Sequence, residues 1–182
     1  MALEDHLAEH PIRENPYTAA DIIAILRENR WLISDPTPEQ IAWSGRAAHL
    51  LGHYAEDRAA LANLLRSVFY YDAAEILQSP DAQAAVSRNA ARDVIRHLAL
   101  LLLDPAPFNS ERFKQIVTYL KETCGLRSRD LFHPIRLSLA GRIGEGELDR
   151  VILLVDEPSV LPFATPVKSV RTRILEFCSA LD

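Results

Sequence analysis

The sequence predicts an all-α fold, and three observations support this prediction. Apolar residues recur every three or four positions in successive segments, which is the spacing of one face of an α-helix. Capping residues and prolines precede several of these segments, as they do at helix starts. No run of alternating apolar and polar residues indicates strands, and no repeat of fixed period indicates a repeat architecture. We expect a helical bundle or cage of about seven to eight helices in two small subdomains, residues 1–104 and 105–182.

The first three helices carry N-terminal capping signals. A capping side chain accepts a hydrogen bond from a free N–H group of the first helical turn. The predicted caps are Thr18 with Asp21, Thr37 followed by Pro38, and Asp57. Together with their apolar stripes, these caps predict helices over about 18–31, 37–51 and 57–72.

A long fourth helix begins at Ser79 and Pro80, which repeat the signal of a cap followed by proline. Its apolar stripe extends to the DPAPFN segment at residues 104–109. Because proline ends helices, the two prolines of that segment mark the expected boundary between the subdomains.

The second half contains four further apolar stripes. They predict helices over residues 109–124, 131–140, 148–155 and 167–181. Pro134 lies near the start of the second of these helices, and Gly125 and Gly141 are placed to end the first and second. In the last helix we expect Lys168, Arg171 and Arg173 to lie on the exposed face.

Composition and termini favour a cytoplasmic protein. The longest apolar run, residues 98–103, is far shorter than the ~20 residues that a membrane helix needs. The first ten residues, MALEDHLAEH, are acidic and lack the basic start and apolar stretch of a secretory signal. Cys124 and Cys178 lie in apolar helical patterns, which favours buried reduced thiols over a disulfide framework.

The net charge of −5 limits how the chain can bind polyanions. The first sixty residues hold ten acidic and five basic residues, so the N-terminal third is the acidic part. Because the field of the whole molecule repels nucleic acid, any binding to RNA has to be local.

Two short patterns suggest chemistry, and neither has the sequence context that the chemistry needs. His49 and His53 are four residues apart on one predicted helix, a spacing that can place two imidazoles on a metal. The segment reads HLLGH, without the glutamate of a metalloprotease helix and without a third ligand, so we expect no metal and no cofactor. Gly141, Gly144 and Gly146 resemble a phosphate-binding loop in spacing, but they follow a helix and are interleaved with acidic residues.

Basic residues are concentrated late in the chain. They are Arg127, Arg129, Arg136, Arg142, Arg150, Lys168, Arg171 and Arg173. One interpretation is a surface that contacts the ribose-phosphate backbone of RNA. The other is a set of salt-bridged helix faces, which the neighbouring Asp and Glu residues favour on composition alone.

Three successive segments favour the first of these interpretations, because they resemble a known family. They read YLKETCGL at 119–126, LFHPIRLSLAGR at 131–142 and IGEGELDRVILLV at 143–155. Their order resembles the C-terminal part of the anticodon-binding region of bacterial glutamyl-tRNA synthetases, which are class I synthetases. Upstream, DRAALANLLRSVFYYD at 57–72 resembles the family helix of the neighbouring subdomain.

The resemblance implies a helical cage that holds the anticodon stem-loop of a tRNA, where unstacked bases are read by side chains. Arg136 matches a position whose arginine stacks on or hydrogen-bonds a flipped base. Gly144, Glu145, Gly146 and Leu148 match the base-contacting loop, and Arg58 lies near a basic position of the preceding subdomain. Together with Arg127, Arg129, Arg142, Arg171 and Arg173 these are the expected tRNA contacts.

The family's Rossmann domain, with its HIGH and KMSKS signatures, has no counterpart in these 182 residues. The leading hypothesis is therefore a non-catalytic tRNA-binding protein, with tRNA-Glu as the first candidate, or a protein that assists a synthetase. We favour a free-standing paralogue over a fragment, and expect neither DNA nor membrane as partner. A helical protein-interaction module that lost RNA binding is the main alternative, and a small helical enzyme built on His49 and His53 is the third.

Overall fold

Ten α-helices and no strand form residues 14–182, the part of the chain that the computed structural model describes, which confirms the all-α class. The helices are α1 (Ala19–Glu28), α2 (Pro38–Leu51), α3 (Arg58–Phe69), α4 (Ala73–Ile76), α5 (Pro80–Val86), α6 (Asn89–Leu102), α7 (Ser110–Cys124), α8 (Ser128–Ala140), α9 (Gly146–Ile152) and α10 (Val170–Leu181). Short 3-10 turns cover Gly52–Tyr54 and Pro158–Val160. The acidic segment used above to argue against a secretory signal lies outside the described residues. No helix within 14–182 has the length and apolar character needed to cross a membrane.

The predicted caps start their helices. The Thr37 hydroxyl oxygen accepts a hydrogen bond from the backbone N–H of Gln40 at 3.2 Å, and Gln40 Oε1 accepts from the N–H of Thr37 at 2.9 Å. Asp57 Oδ1 accepts from the N–H of Ala60 at 2.8 Å, and Asn109 caps α7 in the same way. These local bonds explain why the helix starts were predictable from the sequence.

The count of seven to eight helices is wrong for two reasons: an unpredicted short helix, α4, precedes the fourth predicted helix, and the fourth predicted helix is divided into α5 and α6. Asp72 caps the unpredicted α4 by accepting a hydrogen bond from the N–H of Glu75 at 3.0 Å. The long helix is then interrupted between α5 and α6. There the Ser87 hydroxyl donates to the Ala84 carbonyl and Arg92 Nε donates to the Val86 carbonyl, so side chains satisfy the last carbonyls of α5 and the helix ends.

Helix α8 also differs from its prediction. It begins at Ser128 rather than Leu131, and Pro134 lies inside it rather than near its start. A proline inside a helix removes one backbone hydrogen bond. The Ser138 hydroxyl donates to the Pro134 carbonyl at 2.8 Å, and α8 ends at Gly141, whose φ of +83° favours glycine.

One cluster of buried side chains connects the helices, and aromatic rings lie within it. Trp43 is fully buried, and its indole N–H donates to the Leu154 carbonyl at 3.1 Å. Its ring makes edge contacts with Phe69 and Phe163, and Trp31 stacks on Phe69 with the ring centroids 4.8 Å apart. These contacts join the loop before α2 and the segment after α9 to the core.

Helix α6 precedes the expected boundary at residue 104, yet it packs against α7, α8 and α10, which all follow that boundary. The buried side chains on both sides of residue 104 belong to the same cluster. The division into subdomains 1–104 and 105–182 stays a prediction. Cys124 and Cys178 are free thiols as expected, but both are half-buried rather than buried, and partial burial is the main reason why the pKa of each thiol is raised.

Arg173 is buried, so the expectation that it lies on the exposed face of the last helix is wrong. Its guanidinium donates to the carbonyls of Ser67 and Val68 at the end of α3 and of Leu139 at the end of α8, at 2.6 to 3.0 Å. Its Nε donates to the carbonyl of Lys168 at 2.9 Å. The last carbonyls of a helix have no partner within the helix and carry partial negative charge. Arg173 therefore joins the C-terminal ends of two helices to the start of a third.

Replacing Arg173 tests this role. We expect Arg173→Met to lower the free energy of unfolding by about 3 kcal/mol, since it leaves buried carbonyls of α3 and α8 without donors. Urea denaturation followed by circular dichroism measures the change. Arg171→Met, an exposed position on the same helix, is the matched control and should leave stability nearly unchanged. Equal stability of the two variants would contradict the role given to Arg173.

Candidate functional site

Helix α8 exposes only a narrow strip of its surface. From Pro134 to Ala140 every side chain is buried, so the solvent-facing residues belong to its first half. Arg129 is exposed, and Phe132 and His133 are half-buried. Phe132 and His133 lie three and four residues after Arg129, and four and three residues before Arg136, which places all four on one face of the helix. This face, together with the loop from Gly141 to Gly146, is the candidate site.

Arg136 lies at the end of this face and is held inside the protein. Its Nε and Nη2 donate to the two carboxylate oxygens of Asp149 on α9, at 2.8 and 2.9 Å. Its Nη1 donates to the carbonyl of Gly144 at 2.9 Å, and its guanidinium lies 4.7 Å from the centre of the Phe132 ring. The Arg136 side chain is 10% exposed. All three nitrogens of the guanidinium thus have protein acceptors, and the residue fixes the loop to both α8 and α9.

The loop is shaped by this clamp and by two of its glycines. The positive φ of Gly141 is strained for other residues, and a Cβ on Gly144 would lie 2.7 Å from Leu148 Cδ1. Leu148 is buried, whereas Glu145 is exposed. The Glu147 carboxylate accepts a hydrogen bond from the Glu145 N–H at 3.1 Å. The predicted base-contacting loop therefore presents the carboxylate of Glu145 to solvent, whereas that of Glu147 is bound within the loop.

The remaining predicted contacts are separated from one another. Arg127 and Arg129 are exposed at the N-terminal end of α8, whereas Arg142 follows its C-terminal end. A helix of 13 residues is about 20 Å long, so these two groups cannot contact the same nucleotide. Arg58 is exposed and forms an ion pair with Glu28 of α1, and Arg171 is exposed near the start of α10.

Among the predicted tRNA contacts, Arg142 has a buried donor that lacks a hydrogen-bond partner in the described part of the chain. It is half-buried, and its Nε is buried without a hydrogen-bond partner among the described residues. Arg127, Arg129 and Arg171 form no ion pair with another residue of the described range. These arginines, unlike Arg136 and Arg173, keep donors available for a ligand.

Phe132 and His133 were not singled out in the sequence. The pKa of His133 is lowered, mainly because partial burial disfavours the charged ring, and also because Arg136 and Arg129 are nearby positive charges. The imidazole is therefore more easily kept neutral than an ordinary histidine. A signal was present, since His133 lies four residues after Arg129 and three before Arg136, the spacing of neighbours on one helix face.

The two histidines of the metal hypothesis do not gain a third ligand in the described part of the chain. The ring centroids of His49 and His53 are 6.4 Å apart. Within residues 14–182 no group of three His, Cys, Asp or Glu side chains could hold a metal ion. The hypothesis of an enzyme built on these histidines has no further support from the geometry.

Comparison with known proteins relates part of the chain to glutamate–tRNA ligases. Over 78 residues, 42% of this chain, it is 35% identical to glutamate–tRNA ligase 2 of Syntrophus aciditrophicus. Over 107 residues, 58% of the chain, it is 27% identical to glutamate–tRNA ligase 1 of Caldanaerobacter subterraneus subsp. tengcongensis. Over 64 residues, 35% of the chain, it is 38% identical to glutamate–tRNA ligase 1 of Brucella ovis.

The matched segments span 16%, 22% and 14% of these three ligases, so most of each ligase lies outside the similarity. No family model and no solved structure matches the chain. The chain thus contains a region related to glutamate–tRNA ligases. The three sequence motifs resemble the same family, the glutamyl-tRNA synthetases.

A double-mutant cycle tests the clamp between Arg136 and Asp149. Because the pair is largely buried and bidentate, we expect a coupling energy of about 2 kcal/mol between Arg136→Ala and Asp149→Ala. The exposed pair of Arg88 and Asp130 is the matched control, with an expected coupling below about 1 kcal/mol. Urea denaturation of the single and double variants measures both values. Additive effects at Arg136 and Asp149 would show that the clamp does not hold the loop.

The environment of His133 gives a second prediction. Arg129→Gln removes a positive charge beside the ring, so the pKa of His133 should rise toward its ordinary value. Arg127→Gln, the matched control, should move it less. Titration of the imidazole resonances by NMR measures both. A larger shift with Arg127→Gln would contradict the assignment.

The lowered pKa of His133 also predicts how stability depends on pH. In the unsubstituted protein, His133 binds its proton at higher pH in the unfolded chain than in the folded chain. The free energy of unfolding should therefore fall as pH drops below about 6.5.

Proposed function

We propose that this chain is a tRNA-binding protein of the glutamate–tRNA ligase lineage that acts without aminoacylating tRNA. The observation that carries the proposal is the similarity to those ligases over 35 to 58% of the chain. In the proposal the ligand is the anticodon stem-loop of a tRNA, with tRNA-Glu as the first candidate. The protein works in the cytoplasm, where it binds tRNA or assists a synthetase.

The arginines with available donors support RNA binding. Arg127, Arg129, Arg142 and Arg171 belong to the late basic residues, and their guanidinium groups are suited to phosphate because they offer paired N–H donors. In this proposal Arg136 does not read a base directly. It positions Gly144 and the loop as far as Leu148, while Arg58 extends the contact surface on α3.

The absence of strands within residues 14–182 supports the non-catalytic part of the proposal. The Rossmann domain of class I synthetases is built on a sheet, whereas the described residues form helices, turns and irregular segments. The matched segments also cover at most 22% of the three ligases compared. We therefore assign to this chain the binding of tRNA and not the activation of glutamate.

A protein-interaction role is the second candidate, and one observation favours it. Leu100 on α6, Leu103 directly after α6 and Leu175 on α10 are 65%, 43% and 43% exposed, and the two helices pack against each other. Exposed leucines on neighbouring helices are suited to an apolar partner. This candidate gains weight if the purified chain fails to bind tRNA.

Direct binding tests the proposal. We expect the purified chain to bind labelled tRNA in fluorescence polarisation, with an affinity that falls as salt rises because phosphate contacts release counterions. A plain RNA duplex of similar length is the control and should bind more weakly. In an ATP–pyrophosphate exchange assay with glutamate the chain should be inactive. Absence of tRNA binding at low salt would refute the proposal, and exchange activity would refute its non-catalytic part.

A further inference from the structure

An arginine patch lies at the N-terminal end of α8, at the opposite end from the predicted loop. It consists of Arg88, between α5 and α6, and of Arg127 and Arg129. Arg88 Nη1 lies 2.8 Å from Asp130 Oδ1, and both side chains are more than half exposed. Asp130 is the acidic residue of the first turn of α8, and Arg88 already pairs with it. Arg127 and Arg129 are thus left without a carboxylate partner in the described chain, and the four side chains carry a net positive charge.

The other end of α8 has no such excess of positive charge. Arg136 is neutralised by Asp149 and also lies 4.0 Å from Glu145, whose side chain is 59% exposed. Arg142 and Arg150 are the remaining positive charges of this end, and Glu145 and Glu147 oppose them. A phosphate near the loop therefore meets cancelling charges, whereas a phosphate near the arginine patch meets attraction.

The donors of these arginines also decide what kind of contact is available. Reading a base edge needs a guanidinium whose N–H groups are free and held in a fixed direction. Arg136 is held in a fixed direction, but its nitrogens already donate to Asp149 and Gly144. Arg127 and Arg129 are exposed, and long exposed arginines suit phosphate oxygens, which carry no sequence information.

We propose that this chain holds RNA chiefly by its phosphates through the arginine patch of Arg88, Arg127 and Arg129, and that binding depends little on the anticodon bases. This inference rests on the proposed tRNA binding and names the part of the surface and the chemistry that would carry it. The loop from Gly141 to Gly146 is then a structural feature of the fold, fixed by Arg136, and a minor contact.

The experiment compares two double variants that remove the same charge, one at the arginine patch and the other after α1 and on α3. Arg127→Ala/Arg129→Ala alters the arginine patch. Arg30→Ala/Arg66→Ala is the matched control, because both arginines are exposed and neither belongs to the proposed binding surface. Each protein is titrated with a tRNA-Glu transcript, and with the same transcript carrying three replaced anticodon bases, over a salt series. Thermal unfolding followed by circular dichroism establishes that both variants fold.

We expect Arg127→Ala/Arg129→Ala to weaken binding about tenfold at low salt and to reduce the slope of log affinity against log salt by about 1.5, as two lost phosphate contacts require. The control should stay within about threefold of the parent for both transcripts, and replacing the anticodon should change affinity less than about threefold. A control variant that loses as much affinity as the patch variant, an unchanged patch variant, or a strong dependence on the anticodon each overturns the inference. If the unsubstituted chain binds neither transcript, the proposed function fails, and the inference fails with it.

Discussion

The position of α8 depends on a single buried guanidinium. Arg173 donates to backbone carbonyls at the ends of α3 and α8 and at the start of α10, and the ring of Tyr71 lies 4.8 Å from it. Burial of a charge is costly, and here it lowers the pKa of Arg173 to about 10. The group stays protonated at neutral pH because several carbonyls and two negative helix ends stabilise it. This contact fixes the C-terminal end of α8 against α3 and α10.

Two other arginines act on the same principle. Arg112 Nη2 donates to the carbonyls of Leu101 and Asp104 at the end of α6, at 3.0 and 2.9 Å. Arg136 donates to Gly144 and Asp149 and so fixes the loop after α8. In each case an arginine supplies donors to carbonyls that a helix or a loop leaves unpaired. A count of basic residues therefore overstates the charge available to RNA, since part of it holds the backbone together.

The sequence predicted where helices begin better than it predicted which side chains join one helix to another. Caps such as Thr37 are local, so three or four residues suffice to identify them. Arg173 lies three residues after Val170 and four before Phe177, so the period that predicts the helix also places it on the buried face. That signal was present, and the arginine's charge argued against it. The partner of Arg136 could not be predicted, because Asp149 is brought to it only by the turn between α8 and α9.

The acidic balance of the chain is compatible with an RNA contact at one end of α8. Exposed charges separated by more than about 8 Å are largely screened at physiological salt. The two ends of α8 are about 20 Å apart, so the carboxylates of the loop contribute little to the potential at Arg127 and Arg129. The net charge of −5 acts over a long range, so it mainly slows the encounter with RNA, and it does so at low salt, where screening is weak. It has less effect on contacts that have already formed. A small basic patch on an acidic protein can therefore bind phosphates if every carboxylate beside it is already paired with a positive charge. Asp130 is the carboxylate beside Arg129, and Arg88 pairs with it.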